Sequence, residues 1–328
     1  MKNFTDMKNR AIVRVPGTSA NCGPGFDCIG VATSIYNHLD LTLTRTAKLI
    51  VEVSGEGAEN IPRNKKNLTW QAVQKLLQTV GRENEFKGAI IRAKNRVPIS
   101  RGLGSSSTAI VAGLVAANEI LGSPLNRNEL LNLATELEGH PDNVAPALFG
   151  GFTVSVMSNG TVQTFSFLPP TKLKLVVAVP DFELSTRLAR KVLPQKVSMK
   201  DAIFNVSRAA MLIAALVRGR EEFLPISFDD ALHQPYRKKL VPGMTEVFAA
   251  AKAAGALGAA ISGAGSCLIA FTAAKDEIEK KIAASMVETF AAHGVKSKAL
   301  ILKVDKRGAQ ILKGKREMGK GIRENPNP

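Results

Sequence analysis

Between Lys87 and Gly122 the chain reads as strand, glycine turn and helix, and no other stretch limits its fold so tightly. KGAIIRAKNRVP has the spacing of a strand that Val97-Pro98 ends, and TAIVAGLVAANEILG predicts a small, apolar helix closed by Gly122. Between them, SRGLGSSS sets Gly102 and Gly104 ahead of Ser105, Ser106 and Ser107, which are expected to cap the helix start. A helix start leaves N–H groups unpaired and carries the positive end of the dipole, and glycine lets an anion approach the backbone closely. Phosphate fits such a place. Two familiar phosphate loops are excluded. Gly104 is followed by Ser105 where a Walker loop needs lysine. A dinucleotide fingerprint needs Gly or Ala where Ser107 stands, and an acidic residue ending a following strand, where this chain continues as helix.

The chain has 328 residues, enough for two domains with substantial cores, and its 45% hydrophobic and 22% charged residues are ordinary for a globular protein. Cys22, Cys28 and Cys267 are odd in number and lack CxxC spacing, which argues against a disulfide framework or a zinc site and fits a reducing cytoplasm. MKNFTDMKNR is too polar for an export signal, and a plastid-like location would require a transit segment that is not visible. The weakly polar run FAAAKAAGALGAAISGAGSCLIAF is broken by Lys252 and four glycines, so it is expected to fold as helix, turn, strand, loop and strand, with no membrane association. A net charge of +16 could attract a polyanion, but aromatic residues make up only 5%, leaving little stacking surface, and nucleic acid is not expected as a partner.

AIVRV, LDLTLT and LIVEVSG read as strands, and NLTWQAVQKLLQTVG as an amphipathic helix capped by Asn67 or Thr69. NRNELLNLATELEGH predicts another helix, and GGFTVSV and TVQTFSF a hairpin around Asn159-Gly160. Pro169-Pro170 is the expected seam between domains. Beyond it come strand KLVVAVP, helices near STRLARKVL and over Met199 to Val217, then a helix, strand, strand, helix, strand series to Val304.

Four polar clusters punctuate these elements: SANCGPGFD with Asn21 and Asp27, the serine turn, ELEGHPDNVAP, and the glycine turn ISGAGSC. Together, PxxxGLGSSS, EGHPDNVAP, SGAGS and NxGPGFD resemble the GHMP kinase superfamily and, through SANCGPGFDCIG and EGHPDNVAPALFGG, its homoserine kinase branch, over about Ala11 to Gly308.

The resemblance implies an α+β fold of two domains: residues 1–170 with a ribosomal-protein-like left-handed crossover, and residues 171–310 ferredoxin-like, followed by a basic, disordered tail over 311–328. It implies transfer of phosphate from ATP, with Mg2+, to the hydroxyl of L-homoserine, in an enzyme that could be a homodimer. ATP would contact Pro98, Ile99, Ser100, Arg101, Gly102, Leu103, Gly104, Ser105, Ser106 and Ser107, with Gly263 and Gly265 of the late turn. Ser106 and Glu136 would hold the metal, with Glu138 the alternative. Asn143 stands where many relatives carry an aspartate base; an amide cannot take a proton, so it would orient the hydroxyl, leaving Asp142 as a less favoured base. Asp27 would receive the ammonium beside Asn21 and His140, and Arg190 (or Arg187) and Arg237 the carboxylate. The late turn departs from the family's Ser-Gly-Ser-Gly-Pro-Ser, with Ala264 lacking a hydroxyl and Ser266 in the place of the proline.

Overall fold

Two sheets organise the chain, and the computed structural model describes residues 9–274 and 277–312. The first half runs β1 (Arg10–Ala20), β2 (Ile29–Thr44), β3 (Leu49–Gly55), α1 (Leu68–Thr79), β4 (Gly88–Asn95), α2 (Ser105–Ile120), α3 (Arg127–Glu138), α4 (Pro141–Phe149), β5 (Phe152–Ser158) and β6 (Thr161–Phe167). The second runs β7 (Leu173–Pro180), α5 (Thr186–Lys191), α6 (Met199–Arg218), α7 (Leu224–Ser227), α8 (Gln234–Arg237), α9 (Met244–Ala253), β8 (Gly258–Ile261), β9 (Leu268–Ala273), α10 (Ile278–Ala292), β10 (Ser297–Lys303) and β11 (Gln310–Ile311).

In the first sheet the order is β11-β1-β2-β4-β3, with the β5–β6 hairpin paired to β2. β3 and β4 are parallel, so the chain between them crosses over through α1, which Asn67 caps by accepting from Trp70 N. β1 does not stop at Val15: it runs through Pro16 and Gly17 to Ala20, its pairing with β2 shifting register between Pro16 and Thr18. A proline is tolerated at such an irregularity, and the continued strand carries Thr18 into the site.

The second sheet has the antiparallel order β10-β7-β9-β8, the ferredoxin-like pattern. Leu175, Val177 and Val179 face the core shared with the first half, while Val176 and Ala178 face α9 and α10. Burial on both sides explains why KLVVAVP is apolar without alternation. A separate core lies between the first sheet and α1–α4.

The C-terminal stretch departs from the expected division at 310. The chain leaves the second sheet after Lys303, bridges Thr33 through Val304, and pairs Gln310 and Ile311 with β1. Residues 313–328 of the expected tail lie outside the described residues. Among the described residues, no helix is long and apolar enough to cross a membrane.

Candidate active site

The glycine turn meets α2 with Gly104 itself as the N-cap, at φ 68° and without a side-chain cap bond, which corrects the expectation of a serine cap. The serines are used elsewhere. The hydroxyls of Ser106 and Ser107 both donate to Glu138 Oε1, at 2.7 and 2.8 Å. The first N–H groups of α2 therefore remain available to an anion. A Cβ on Gly104 would stand 2.0 Å from Thr18 Oγ1, and that hydroxyl donates to Asn143 Oδ1 at 2.8 Å.

A cavity of about 430 Å3 opens over this turn. Pro98, Ile99, Ser100, Gly102, Gly104, Ser105, Ser106, Gly263 and Gly265 line it. Arg101, Leu103 and Ser107 do not, contrary to expectation. Leu103 is a core residue whose carbonyl accepts from Thr18 N, and Ser107 is buried against Glu138. Arg101 turns its guanidinium away, to the carbonyls of Pro180, Asp181 and Phe182.

The structure separates the two carboxylates expected as alternatives for the metal. Glu136 is bound by Lys75 Nζ at 2.5 Å, with 61% of its side chain exposed, whereas Glu138 is the carboxylate beside Ser106. Two residues apart on a helix, they point about 200° apart, and only the Glu138 face meets α2.

Asn143 and Asp142 enter from the first turn of α4, which Pro141 starts directly after Gly139 ends α3 in a left-handed conformation. His140, between the two helices, donates from Nδ1 to Asp142 Oδ1 at 2.6 Å. Burial pulls the imidazole pKa down, but the Asp142 bond and the charges of Asp142, Asp27 and Glu138 outweigh it, and the net shift is upward.

Asp27 and Arg190 form a two-pronged pair at 3.0 and 2.7 Å, and Arg187 is exposed outside the cavity. Arg237, only 2% exposed, donates to the carbonyls of Ala189 and Gly263 and to His233 Nδ1. Burial, and then the neighbouring Arg190, lower its pKa to about 10. It still carries its charge at neutral pH. Asn21 lines the cavity but is spent on bracing, donating to the Gly263 carbonyl and accepting from Asp27 N.

Sequence reasoning missed Thr18, which orients Asn143, and Asn37, which donates to Thr108 Oγ1 and accepts from the N–H groups of Arg96 and Val97. It also missed Asn60, Asn67 and Asn95 as residues lining the cavity. Thr18 lay in sight within PGTSA, but a strand ending at Val15 left it in a loop.

Family profiles match in order: the GHMP kinases N terminal domain over residues 67–151 and the GHMP kinases C terminal over 211–291. The chain is 46% identical over 297 residues to the homoserine kinase of Carboxydothermus hydrogenoformans, covering 90% of this chain and 95% of that one. It is 43% identical to the homoserine kinase of Moorella thermoacetica, covering 92% and 99%. The crystal structure of homoserine kinase from Cytophaga hutchinsonii superposes with a TM-score of 0.85 at 30% identity, covering 95% of this chain and all of that one. With the fold, the family profiles and these relatives in agreement, the chain belongs to the homoserine kinases of the GHMP kinase family.

Proposed function

We propose that the chain transfers the γ-phosphoryl group of ATP to the side-chain hydroxyl of L-homoserine, giving O-phospho-L-homoserine and ADP, a step toward threonine, in the cytoplasm. The reading rests on one observation: a single cavity joins a helix start with free N–H groups to a carboxylate and two guanidinium groups, the charges that complement an amino acid. Asp27 receives the ammonium, and Arg190 and Arg237 receive the carboxylate. In the free site Asp27 and Arg190 hold each other. A zwitterion replaces that pair with two new ones. An acid without an ammonium would occupy the arginines and leave Asp27 uncompensated, which selects against hydroxy acids such as mevalonate and shikimate.

Because Asn143 Oδ1 accepts from Thr18, its NH2 group faces the reaction, and it orients the hydroxyl for in-line attack. Asp142 is occupied by His140. The N–H groups at the start of α2 stabilise charge on the transferring phosphoryl. Ser106 and Glu138 offer hydroxyl and carboxylate oxygens, the donors magnesium takes beside phosphates, so the residues present fit that ion. When bound, it would neutralise charge on the phosphates. We assign the nucleotide chiefly to residues up to 170 and the substrate arginines to the part beyond, a division supported by the change of sheet between β6 and β7.

ADP release should be fast with L-homoserine and at least about a hundredfold slower with mevalonate, shikimate or galactose at equal concentration. Equal or better turnover of any of those three would reject the assignment. Glu138→Gln should raise the free Mg2+ needed for half-maximal rate, and the concentration at which Mg2+ tightens nucleotide binding, by about tenfold or more, whereas Glu136→Gln should leave both within about twofold. The reverse order would restore Glu136 as the ligand.

A further inference from the structure

Arg101 sits in the middle of the phosphate-binding turn, yet its side chain serves the other half of the molecule. Nη1 donates to the carbonyls of Pro180 and Phe182, the latter at 2.7 Å, and Nη2 donates to the Asp181 carbonyl at 3.1 Å. Three consecutive carbonyls thus converge on a single guanidinium, whose planar set of donors can serve several acceptors at once. These residues close β7 and lead into Ser185, which caps α5 by accepting from Leu188 N. α5 has six residues and buries only Ala189, so its own packing holds it weakly. It nevertheless carries Arg190.

The guanidinium bears unequally on the two ends of this clamp. Backbone and hydroxyl bonds hold the turn without any help from the guanidinium: Cys267 N donates to the Arg101 carbonyl, Ser262 Oγ to the Gly102 carbonyl, and Thr18 N to the Leu103 carbonyl. The 181–184 segment is tied by Ser266 Oγ to the Phe182 carbonyl, Leu184 N to the Ser100 carbonyl at 3.3 Å, and Asp181 N to the Lys296 carbonyl, and here the guanidinium adds its own bonds to three carbonyls. Loss of the guanidinium would therefore take no bond from the nucleotide turn and would loosen residues 180–182, the approach to α5.

We propose that Arg101 is a positioning residue for the amino-acid substrate: from within the nucleotide turn it holds residues 180–182, and through them the helix that presents Arg190. This rests on the homoserine reading of the site, but it assigns the effect to a side chain outside the cavity. It makes the turn a fixed reference from which the substrate arginine is placed, at the distance that in-line transfer needs.

The test is steady-state kinetics of Arg101→Ala and Arg101→Lys with thermal unfolding recorded alongside. Arg101→Ala should raise KM for L-homoserine by about tenfold or more while KM for ATP moves less than about threefold. Arg101→Lys, which offers a single ammonium to three carbonyls, should fall between it and the wild type, and millimolar methylguanidine should partly restore homoserine KM in the alanine variant alone. A selective rise in KM for ATP would show that Arg101 serves the nucleotide, and overturn the proposal. So would a lowered Tm with both KM values unchanged, which would make the clamp purely structural. If Arg101→Ala does not fold, the lysine variant decides by the same split. Wild-type enzyme that turns over no homoserine would instead reject the substrate assignment, an outcome distinct from both.

Discussion

Gly104→Val is expected to abolish most of the activity, lowering kcat/KM by about a thousandfold or more, in a protein that still folds. The residue has φ 68°, a conformation that a β-branched side chain resists. A Cβ there would also stand 2.0 Å from Thr18 Oγ1 and 3.1 Å from Asn143 Oδ1. The substitution thus strikes twice. It disturbs the backbone that meets phosphate, and it breaks the hydrogen bond that aims Asn143. Backbone strain costs about 1–3 kcal/mol, which a chain of this size can bear, whereas removal of aligned donors costs about 10²–10³ in rate. Kinetics together with circular dichroism would check this. A folded variant with more than about a tenth of wild-type kcat/KM would show that the turn does not meet the transferring phosphate.

Asp27→Asn should raise KM for L-homoserine by about 10- to 150-fold, the equivalent of the 1.5–3 kcal/mol typical of a charged hydrogen bond, with KM for ATP nearly unchanged. It removes the partner of the ammonium and frees Arg190 from its pair. A second readout comes from His140, whose pKa is raised in part by the Asp27 charge. Its NMR titration midpoint should therefore move down in the variant. The sign carries through to stability. A histidine with a raised folded-state pKa adds stability below its unfolded value near 6.5 and loses it as pH rises through the folded value, so Asp27→Asn should cost more stability in acid than at alkaline pH. A homoserine KM within twofold of wild type would remove Asp27 from the substrate site.

Much of this was legible in the chain because it is written locally. Asn67 before an amphipathic run and Asn159-Gly160 between alternating strands each specify their element within a few residues. The strands and helices of the second half showed as a run of patterns, while their ferredoxin-like pairing came from the family resemblance. What stayed hidden depended on faces and on distant partners. Three serines after a glycine look like caps, but the left-handed backbone of Gly104 hands that role to the glycine and turns two hydroxyls toward α3. Glu136 and Glu138 sit on one helix end, and which of them meets Ser106 depends on how α3 packs on α2 and α1. Arg101 lies between Ser100 at φ 55° and Gly102 at φ 82°, and its side chain leaves the turn away from the cavity, toward Phe182.

The short strand β11 gives the protein an unusual order of completion on the ribosome. Gln310 and Ile311 pair with Arg14 and Val13, Leu312 N donates to the Ile12 carbonyl, and Ala309 and Ile311 pack on the core under α1–α4. The first sheet is begun first, but it is finished last, since its edge strand emerges only after the entire second sheet has been synthesised. Until then the outer backbone groups of β1 lack this cover, and an uncovered strand edge is the part of a nascent chain most ready to pair with a neighbour. A stop codon just after the second sheet would spare every residue of the proposed active site and still leave the first sheet unfinished.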